Sequence, residues 1–237
     1  VESGMQTQTN FNTLTRSGVG PVTRDSATGI AYISRTMSTA SQTALTADNT
    51  TSYFSLLVRP RGGGAVASDI GFAFSTDAFI SGSPATVDNS GNGIGFFAGD
   101  NTDPSFNDGI YTTDWSGGTA NVQTGDKFSY ADDTTYLLVG QMDWKANGTN
   151  DTLTLYLVPS SGDFDPATAS KLTHSVDLDQ TLFDTITLSN NLQGVVDEIR
   201  LGTTMDSVLP GIAVVPEPAT MSLLALGGIA MLRRRKK

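Results

Sequence analysis

Short apolar or alternating runs, separated by clusters of Gly, Asn and Asp, fill the chain from about residue 30 to residue 210. In residues 152–157, Leu alternates with Thr or Tyr, and in residues 70–75, Ile or Phe alternates with Gly, Ala or Ser. A period of two places one set of side chains on a buried face of a β-strand and the other on a wet or lightly covered face. The pattern predicts strands at 30–34, 52–59, 70–75, 94–98, 135–144, 152–158, 185–188 and 195–201.

The number of predicted strands indicates the fold class. Eight or more strands over roughly 180 residues exceed a small barrel and favour two packed sheets. The 25 glycines, and the scarcity of Lys and Glu before residue 215, favour strands and turns over helices. Strands do not alternate with helical patterns, which disfavours a parallel sheet. We predict an all-β, two-sheet antiparallel sandwich, preceded by a polar, poorly ordered lead-in at residues 1–28.

The C-terminal residues 215–237 form three ordered parts. Pro216, Glu217 and Pro218 are followed by an almost wholly apolar run at 219–232 and then by the cations Arg233, Arg234, Arg235, Lys236 and Lys237. The prolines keep the peptide extended and accessible. As a short hydrophobic helix the apolar run would span about 21 Å, less than a hydrocarbon core of about 30 Å. Because cations stay on the cytoplasmic side, the predicted topology places everything before the motif outside the membrane.

This arrangement, with Val-Pro-Glu-Pro-Ala at 215–219, resembles the PEP-CTERM sorting signal of Gram-negative bacteria that make exopolysaccharide. The resemblance implies an exported protein, anchored transiently in the inner membrane by residues 211–237 and processed near the motif by a membrane transpeptidase of the exosortase type. The expected destination is the cell envelope or extracellular matrix, where polysaccharide is a candidate partner. The alternatives are a permanent tail anchor and an amphipathic helix packed on the body. The chain begins at Val1 without a secretory signal, and we interpret it as a mature or truncated product.

Composition and charge exclude several classes of function. The chain has no cysteine, which excludes disulfides, thiolate metal sites and cysteine nucleophiles. Its formal net charge is −10, and nine basic against 23 acidic residues before residue 215 give −14 for the body. A surface of this sign repels phosphate, so we predict no nucleic-acid partner.

Two further motifs carry a second resemblance. Residues 134–159 comprise a strand that starts at an aromatic residue, a polar hairpin containing Asn147 and Gly148, and an alternating strand that ends in Tyr-x-x-Pro. Residues 196–202 read VDEIRLG, as in a closing strand. These features resemble laminin-G-like, or concanavalin-A-like, jelly rolls, which implies such a sandwich at residues 29–210. Lectins, adhesion modules, hydrolases and lyases share that fold, so it does not determine function.

Catalytic groups are scarce in the sequence. Glycosidases of this architecture need two carboxylates, commonly as Glu-x-Asp-x-x-Glu on one strand, and no such pattern occurs. We interpret Asp197, Glu198 and Arg200 as structural polar contacts. His174, the single histidine, is not accompanied by a Gly-x-Ser-x-Gly motif, and we interpret it as a surface-strand residue. We predict no catalytic residue and a non-enzymatic binding or structural module. The alternative is a glycan-active hydrolase or lyase of the same fold.

Calcium is the one candidate cofactor. It prefers clustered carboxylate, amide and carbonyl oxygens in loops. The string from residue 100 to 109 offers such groups, and we predict the best site at Asp100, Asp103 and Asp108. Asp and Asn beside Gly are also typical of turns, so a purely structural role is the alternative.

Aromatic residues near these carboxylates are candidates for sugar binding. Ring faces stack on the apolar faces of pyranoses while nearby Asp and Asn bind the hydroxyls. Tyr111 and Trp115 lie in a stretch that we interpret as loop-rich, and we predict that they bind glycan. Large aromatic residues also fill cores, which is our interpretation of Trp144 at the end of a strand.

Overall fold

A computed structural model describes residues 10–11, 14–15, 22–23, 30–60, 70–76, 91–99, 109–116, 119–122, 126–160, 162–191 and 194–214. Its strands are β1 (Asn10–Phe11), β2 (Leu14–Thr15), β3 (Val22–Thr23), β4 (Ile30–Thr36), β5 (Thr51–Arg59), β6 (Ile70–Ser75), β7 (Gly93–Gly99), β8 (Gly109–Ser116), β9 (Thr119–Val122), β10 (Tyr136–Asp143), β11 (Asp151–Val158), β12 (Lys171–Val176), β13 (Thr185–Asn191) and β14 (Val195–Gly202). The helices are α1 (Thr39–Leu45), α2 (Met205–Val208) and a 3-10 turn at Gln180–Leu182.

These strands form two six-stranded sheets and one two-stranded pair. The first sheet has the order β12-β11-β10-β5-β14-β3, and the second has the order β4-β13-β6-β7-β8-β9. All neighbouring strands are antiparallel. The predicted all-β, two-sheet antiparallel sandwich is therefore confirmed. All eight predicted strands are present, whereas the other six, which are β8, β9, β12 and the two-residue strands β1, β2 and β3 of the lead-in, were not predicted.

The main core lies between the two sheets. Phe54 of the first sheet and Phe72 of the second sheet have ring centroids 4.3 Å apart. Trp144 is fully buried, as predicted, and its indole N–H donates to Ser52 Oγ at 3.0 Å. We call this group of residues the core cluster; its larger members include Phe54, Leu56, Phe72, Phe74, Phe96, Leu138, Met142, Trp144, Leu153, Leu155, Leu172 and Phe183.

A second apolar cluster covers the outer face of the first sheet. Tyr156 and Val158 alternate with the core-facing leucines of β11 and are nevertheless buried, because Phe164 and the segment after β14 pack on them. The second face, predicted to be wet or lightly covered, is partly buried at Thr152 and Thr154 and fully covered at Tyr156 and Val158. The packed body also continues beyond residue 210, since Ile212 is buried and Val214 forms a bridge with Phe164. This outer cluster comprises Leu57, Leu137, Val139, Tyr156, Val158, Phe164, Val195, Val208, Leu209 and Ile212.

A β-bulge changes the facing of β14 part-way along the strand. The register with β5 shifts between Asp197 and Arg200, where Glu198 has a positive φ of 53°. Val196 packs in the core cluster before the bulge, and Ile199 packs against the same cluster after it. One extra residue in a bulge reverses the alternation of faces, so simple alternation through 195–201 does not hold. β14 is an internal strand of the first sheet, because it lies between β5 and β3.

Candidate functional site

A cleft of about 510 Å³ opens at one end of the first sheet. The antiparallel register pairs Leu137 with Val158, so the start of β10 lies beside the end of β11. The connection from β11 to β12 folds back over both strands and forms the outer wall. We call this site the end cleft; it is lined by Thr134, Thr135, Tyr136, Leu157, Val158, Pro159, Ser160, Asp163, Phe164, Asp165, Thr168, Ala169 and Ser170.

The turn at Asp165 gives the outer wall its shape. One carboxylate oxygen of Asp165 accepts from the backbone N–H of Ala167, and the other accepts from the hydroxyl of Thr168, each at 2.9 Å. Asp and Asn side chains commonly fix turns in this way. Gly162 precedes the turn with a φ of +87°, a conformation that costs glycine little. Both oxygens of the Asp165 carboxylate are therefore engaged within the turn, and Asp163 lies beside it in the same wall.

Polar and apolar groups alternate around the end cleft. Asp163 is exposed, and no hydrogen bond to its side chain is formed within the described part of the chain. The half-buried Tyr136 accepts a hydrogen bond from the backbone N–H of Ala131 at 2.7 Å, which leaves its own hydroxyl hydrogen able to donate. Pro159 adds an exposed apolar surface. Hydroxyl, carboxylate and ring groups at this spacing suit a polyhydroxylated ligand.

A buried polar pair joins the two sheets at the edge formed by β12. His174 Nε2 lies 2.7 Å from Asp114 Oδ1, and the other carboxylate oxygen accepts from the side-chain amide of Asn121 at 2.9 Å. The strand registers explain the contact: His174 faces inward with Leu153, and Asp114 faces inward with Ile94. Only 3% of His174 is exposed, so the prediction of a surface-strand histidine is wrong in its exposure.

The other ring nitrogen of His174 is the unusual feature of this pair. Nδ1 is buried and has no hydrogen-bond partner within the part of the chain that the structure describes. Because a carboxylate oxygen accepts hydrogen bonds, the Nε2–H of His174 is the donor in its contact with Asp114. No serine or threonine hydroxyl among the described residues completes a triad with it. The pair is built as a cross-sheet contact.

The acidic motif on β14 is engaged in its own strand. Asp197 Oδ1 accepts from the backbone N–H of Glu198 at 2.9 Å. Glu198 Oε2 accepts from Arg200 Nη2 at 2.6 Å, with the Glu198 side chain almost fully buried. These contacts hold the bulge, where a non-glycine residue with positive φ needs support.

Tyr111 and Trp115 lie on strand β8 and not in a loop. Trp115 is 0% exposed and Tyr111 is 2% exposed. The ring of Tyr111 stacks on Phe97, with centroids 6.3 Å apart and an interplanar angle of 23°. The two residues lie on the same face of β8, and because both rings are buried, the structure does not present them as an open platform for sugar.

Several predicted residues lie outside the described part of the chain. These are the calcium candidates Asp100, Asp103 and Asp108, the motif at 216–218, the apolar run at 219–232 and the terminal cations at 233–237. Among the described residues, no group of three or more His, Cys, Asp or Glu side chains could hold a metal ion. No helix in that part of the chain is long and apolar enough to cross a membrane.

Solved structures with similar arrangements include binding proteins and an enzyme. Sheep galectin-11 is 8% identical, with a TM-score of 0.40, over 75% of this chain and 100% of that chain. Carbohydrate-binding module CBM66 from Bacillus subtilis is 12% identical, with a TM-score of 0.37, over 77% of this chain and 91% of that chain. A marine PL-14 alginate lyase from Aplysia kurodai is 7% identical, with a TM-score of 0.42, over 68% of this chain and 72% of that chain. Likeness at this level carries no assignment of function.

The sequence comparisons concern the end of the chain. No curated protein matches the chain significantly. Residues 214–236 match the PEP-CTERM protein-sorting motif, as their resemblance predicted. This motif implies that the protein is exported and is processed at the membrane by an exosortase. The chain is therefore a β-sandwich protein whose C-terminus carries a PEP-CTERM sorting motif.

Proposed function

We propose that this exported β-sandwich is a non-enzymatic module of the cell envelope or exopolysaccharide matrix, and that it binds glycan in the end cleft. The end cleft itself is the observation that supports this function. Its volume of about 510 Å³ is within the usual range for small-ligand sites. Tyr136 and Pro159 offer apolar surface to a sugar ring, and Asp163 offers an acceptor without a competing partner.

The charge of the end cleft selects among glycans. Among the described residues, its lining includes two carboxylates, Asp163 and Asp165, and no Lys or Arg. The whole chain is acidic as well, with a formal net charge of −10. Like charges brought together in a confined site are unfavourable. A neutral polysaccharide is therefore the expected ligand, and uronate-rich polymers are expected to bind more weakly.

A glycan array probed with the protein tests this function. Binding to neutral glycans should fall about tenfold in Asp163→Ala, because a hydrogen bond to a charged acceptor is lost. Asp206→Ala removes an exposed carboxylate on α2, away from the cleft, and serves as the matched control. The proposal fails if no glycan is retained, or if both variants bind like the wild type.

The same array, run with calcium and with a chelator, tests the candidate metal. Binding that depends on calcium and is lost in Asp103→Ala would support a site at Asp100, Asp103 and Asp108. Binding that is equal under both conditions would show that the glycan site works without the metal.

A glycan-active enzyme is the second candidate, and one observation favours it. Histidine bonded to a carboxylate, with its second nitrogen free to accept, is the arrangement of a general base. His174 and Asp114 have this arrangement. Their burial between the sheets argues for the structural role, since a base must reach the proton that it removes. Release of new chain ends from a bound polysaccharide, abolished in His174→Gln, would establish the enzyme.

A further inference from the structure

A second cleft, of about 650 Å³, opens at the opposite edge of the sandwich from His174. It lies between the edge strand β4, helix α1 and the inner faces of β13 and β14. We call it the edge cleft; it is lined by Arg35, Thr36, Met37, Ser38, Ser41, Leu45, Ile186 and Leu201. None of these residues belongs to the end cleft.

The inner wall of the edge cleft is apolar and continuous with the core. Met37, Ile186 and Leu201 are half-buried and pack directly against the core cluster. Leu45, the last residue of α1, is buried beside them. A ligand that enters here therefore meets hydrocarbon, which favours an alkyl chain over a sugar.

Arg35 places a positive charge at the mouth of this apolar wall. Residue 35 pairs with Ile186 across β4 and β13, and directly opposed residues of an antiparallel pair project to the same face. Arg35 therefore belongs to the inner face of the sheet, although its side chain is exposed. No carboxylate within the described part of the chain forms an ion pair with it. In a protein with a formal net charge of −10, a cation on the inner face with no acidic partner among the described residues is a specific feature.

We propose that the edge cleft binds a fatty-acid-like anion, with the alkyl chain against Met37, Ile186 and Leu201 and the carboxylate on Arg35. The planar guanidinium presents paired N–H donors that match both carboxylate oxygens. The hydroxyls of Ser38 and Ser41 lie on the same rim and can accept or donate further hydrogen bonds. This ligand differs from the neutral glycan of the end cleft, so the two sites are independent.

The test uses the full chain and monomeric dodecanoate that carries a photoactivatable diazirine near its alkyl end. After irradiation, mass spectrometry should locate the label in peptides that contain residues 37–45, 186 or 201. Arg35→Gln should reduce this labelling about tenfold at equal probe concentration, because a charged hydrogen bond is lost. Lys171→Gln removes one exposed cation from β12, outside this cleft, and should label like the wild type. Each methylene removed from the probe should raise the probe concentration needed for half-maximal labelling about fourfold.

Four results would overturn the proposal. In the first, the label is confined to the apolar run at 219–232. In the second, an analogue with a trimethylammonium group in place of the carboxylate labels the edge cleft to the same extent. Alternatively, anionic vesicles that carry the probe label the cleft while the monomeric probe does not, which would indicate a membrane surface as the ligand. Finally, Arg35→Gln labels normally but self-associates on size-exclusion chromatography, which would show that the inward cation protects the sheet edge from pairing.

Discussion

His174 and Asp114 lie on different sheets and are joined by a contact of 2.7 Å between Nε2 and Oδ1. This contact closes the sandwich along the side formed by β12 and β8. The other side, between β4 and β14, has no such pair in the described residues and contains the edge cleft. The two long sides of the sandwich are thus built differently, because one is closed by a polar pair and the other contains the edge cleft.

The two members of this buried pair should contribute to the stability of the fold as a coupled unit. His174→Leu leaves the Asp114 carboxylate buried with the Asn121 amide as its remaining partner among the described residues, and Asp114→Leu takes away the partner of the imidazole. We expect each single variant to lose about 1–3 kcal/mol of unfolding free energy, because a buried polar group is left without its partner. The double variant should lose less than their sum, with a coupling of about 0.5–3 kcal/mol. Urea denaturation of the four proteins measures this cycle, and additive losses would show that the pair does not act as a unit.

Gly140 should not tolerate a side chain, because Phe54 packs directly on it. A Cβ at Gly140 would lie 2.0 Å from Cζ of Phe54, the residue opposite it in the neighbouring strand. The Phe54 ring has no room to move, since Phe72 lies 4.3 Å away between ring centroids. Gly140→Ala should therefore cost about 1–3 kcal/mol of unfolding free energy. Adding Phe54→Leu should recover part of that loss, and a Gly140→Ala protein as stable as the wild type would contradict this packing.

Asp151 should make the fold less stable as the pH rises. Burial raises the pKa of its carboxyl above the ordinary 3.8, opposed in part by N–H donors of Lys145 and Leu178. A raised pKa means that the folded state binds the proton more tightly than the unfolded state. The contribution of the group is therefore complete below pH 3.8 and is lost as the pH rises through the folded pKa. In urea denaturation, the unfolding free energy of the wild type should fall relative to that of Asp151→Asn from about pH 3 to about pH 7.

Asp179 provides the control of opposite sign. The hydroxyl of Thr181 donates to its carboxylate at 2.5 Å and lowers the pKa of this exposed group below 3.8. Its small contribution should be present above that value and disappear as the pH falls through the folded pKa. Thr181→Val should therefore weaken the fold slightly at neutral pH and not at all in acid. If the stability contributions of Asp151 and Asp179 changed with pH in the same direction, the assignment of a raised pKa to one and a lowered pKa to the other would be contradicted.

The sequence predicted those strands whose buried residues are apolar. In β11 the alternating leucines 153 and 155 face the core cluster, and the pattern revealed them. Strand β8 was missed because its inward residues include Thr112 and Asp114, which resemble a loop when read alone. The partner of Asp114 is His174, 60 residues away. A buried polar residue is recognisable only once its distant partner is known.

The candidate binding sites were hidden for a related reason. The end cleft forms because Tyr136 and Leu157 are brought together by strand pairing, and the residues around it look like ordinary turns in sequence. The edge cleft depends on the inward facing of Arg35, which follows from its register with Ile186. The positive φ of Glu198 likewise cannot be seen in an alternating pattern. In contrast, the C-terminal motif is read by local order alone, and its prediction was confirmed.

The position of Val214 predicts where the tail can be removed. This residue forms a bridge with Phe164 and is also the first residue of the sorting motif. Truncation after Val214 should leave the unfolding free energy unchanged. Truncation after Gly211 also removes Ile212, which is buried in the outer cluster, and should cost about 2–5 kcal/mol. Equal denaturation midpoints for the two truncated proteins would show that residues 212–214 do not belong to the packed body.

The last prediction concerns processing of the tail, where motif, apolar run and basic end must act together. A membrane enzyme needs the scissile region at the outer interface, where the apolar run and the cytoplasmic cations would hold it. The prolines keep that region extended and accessible. In a host with the matching exosortase, Glu217→Ala, or replacement of Pro216 and Pro218 by Ala, should leave an uncleaved form in the membrane. Deletion of residues 219–237 should instead release protein that is not sorted to the envelope. Mass spectrometry of native envelope protein decides the matter, because a C-terminus intact to Lys237 would show a permanent anchor in place of a sorting signal.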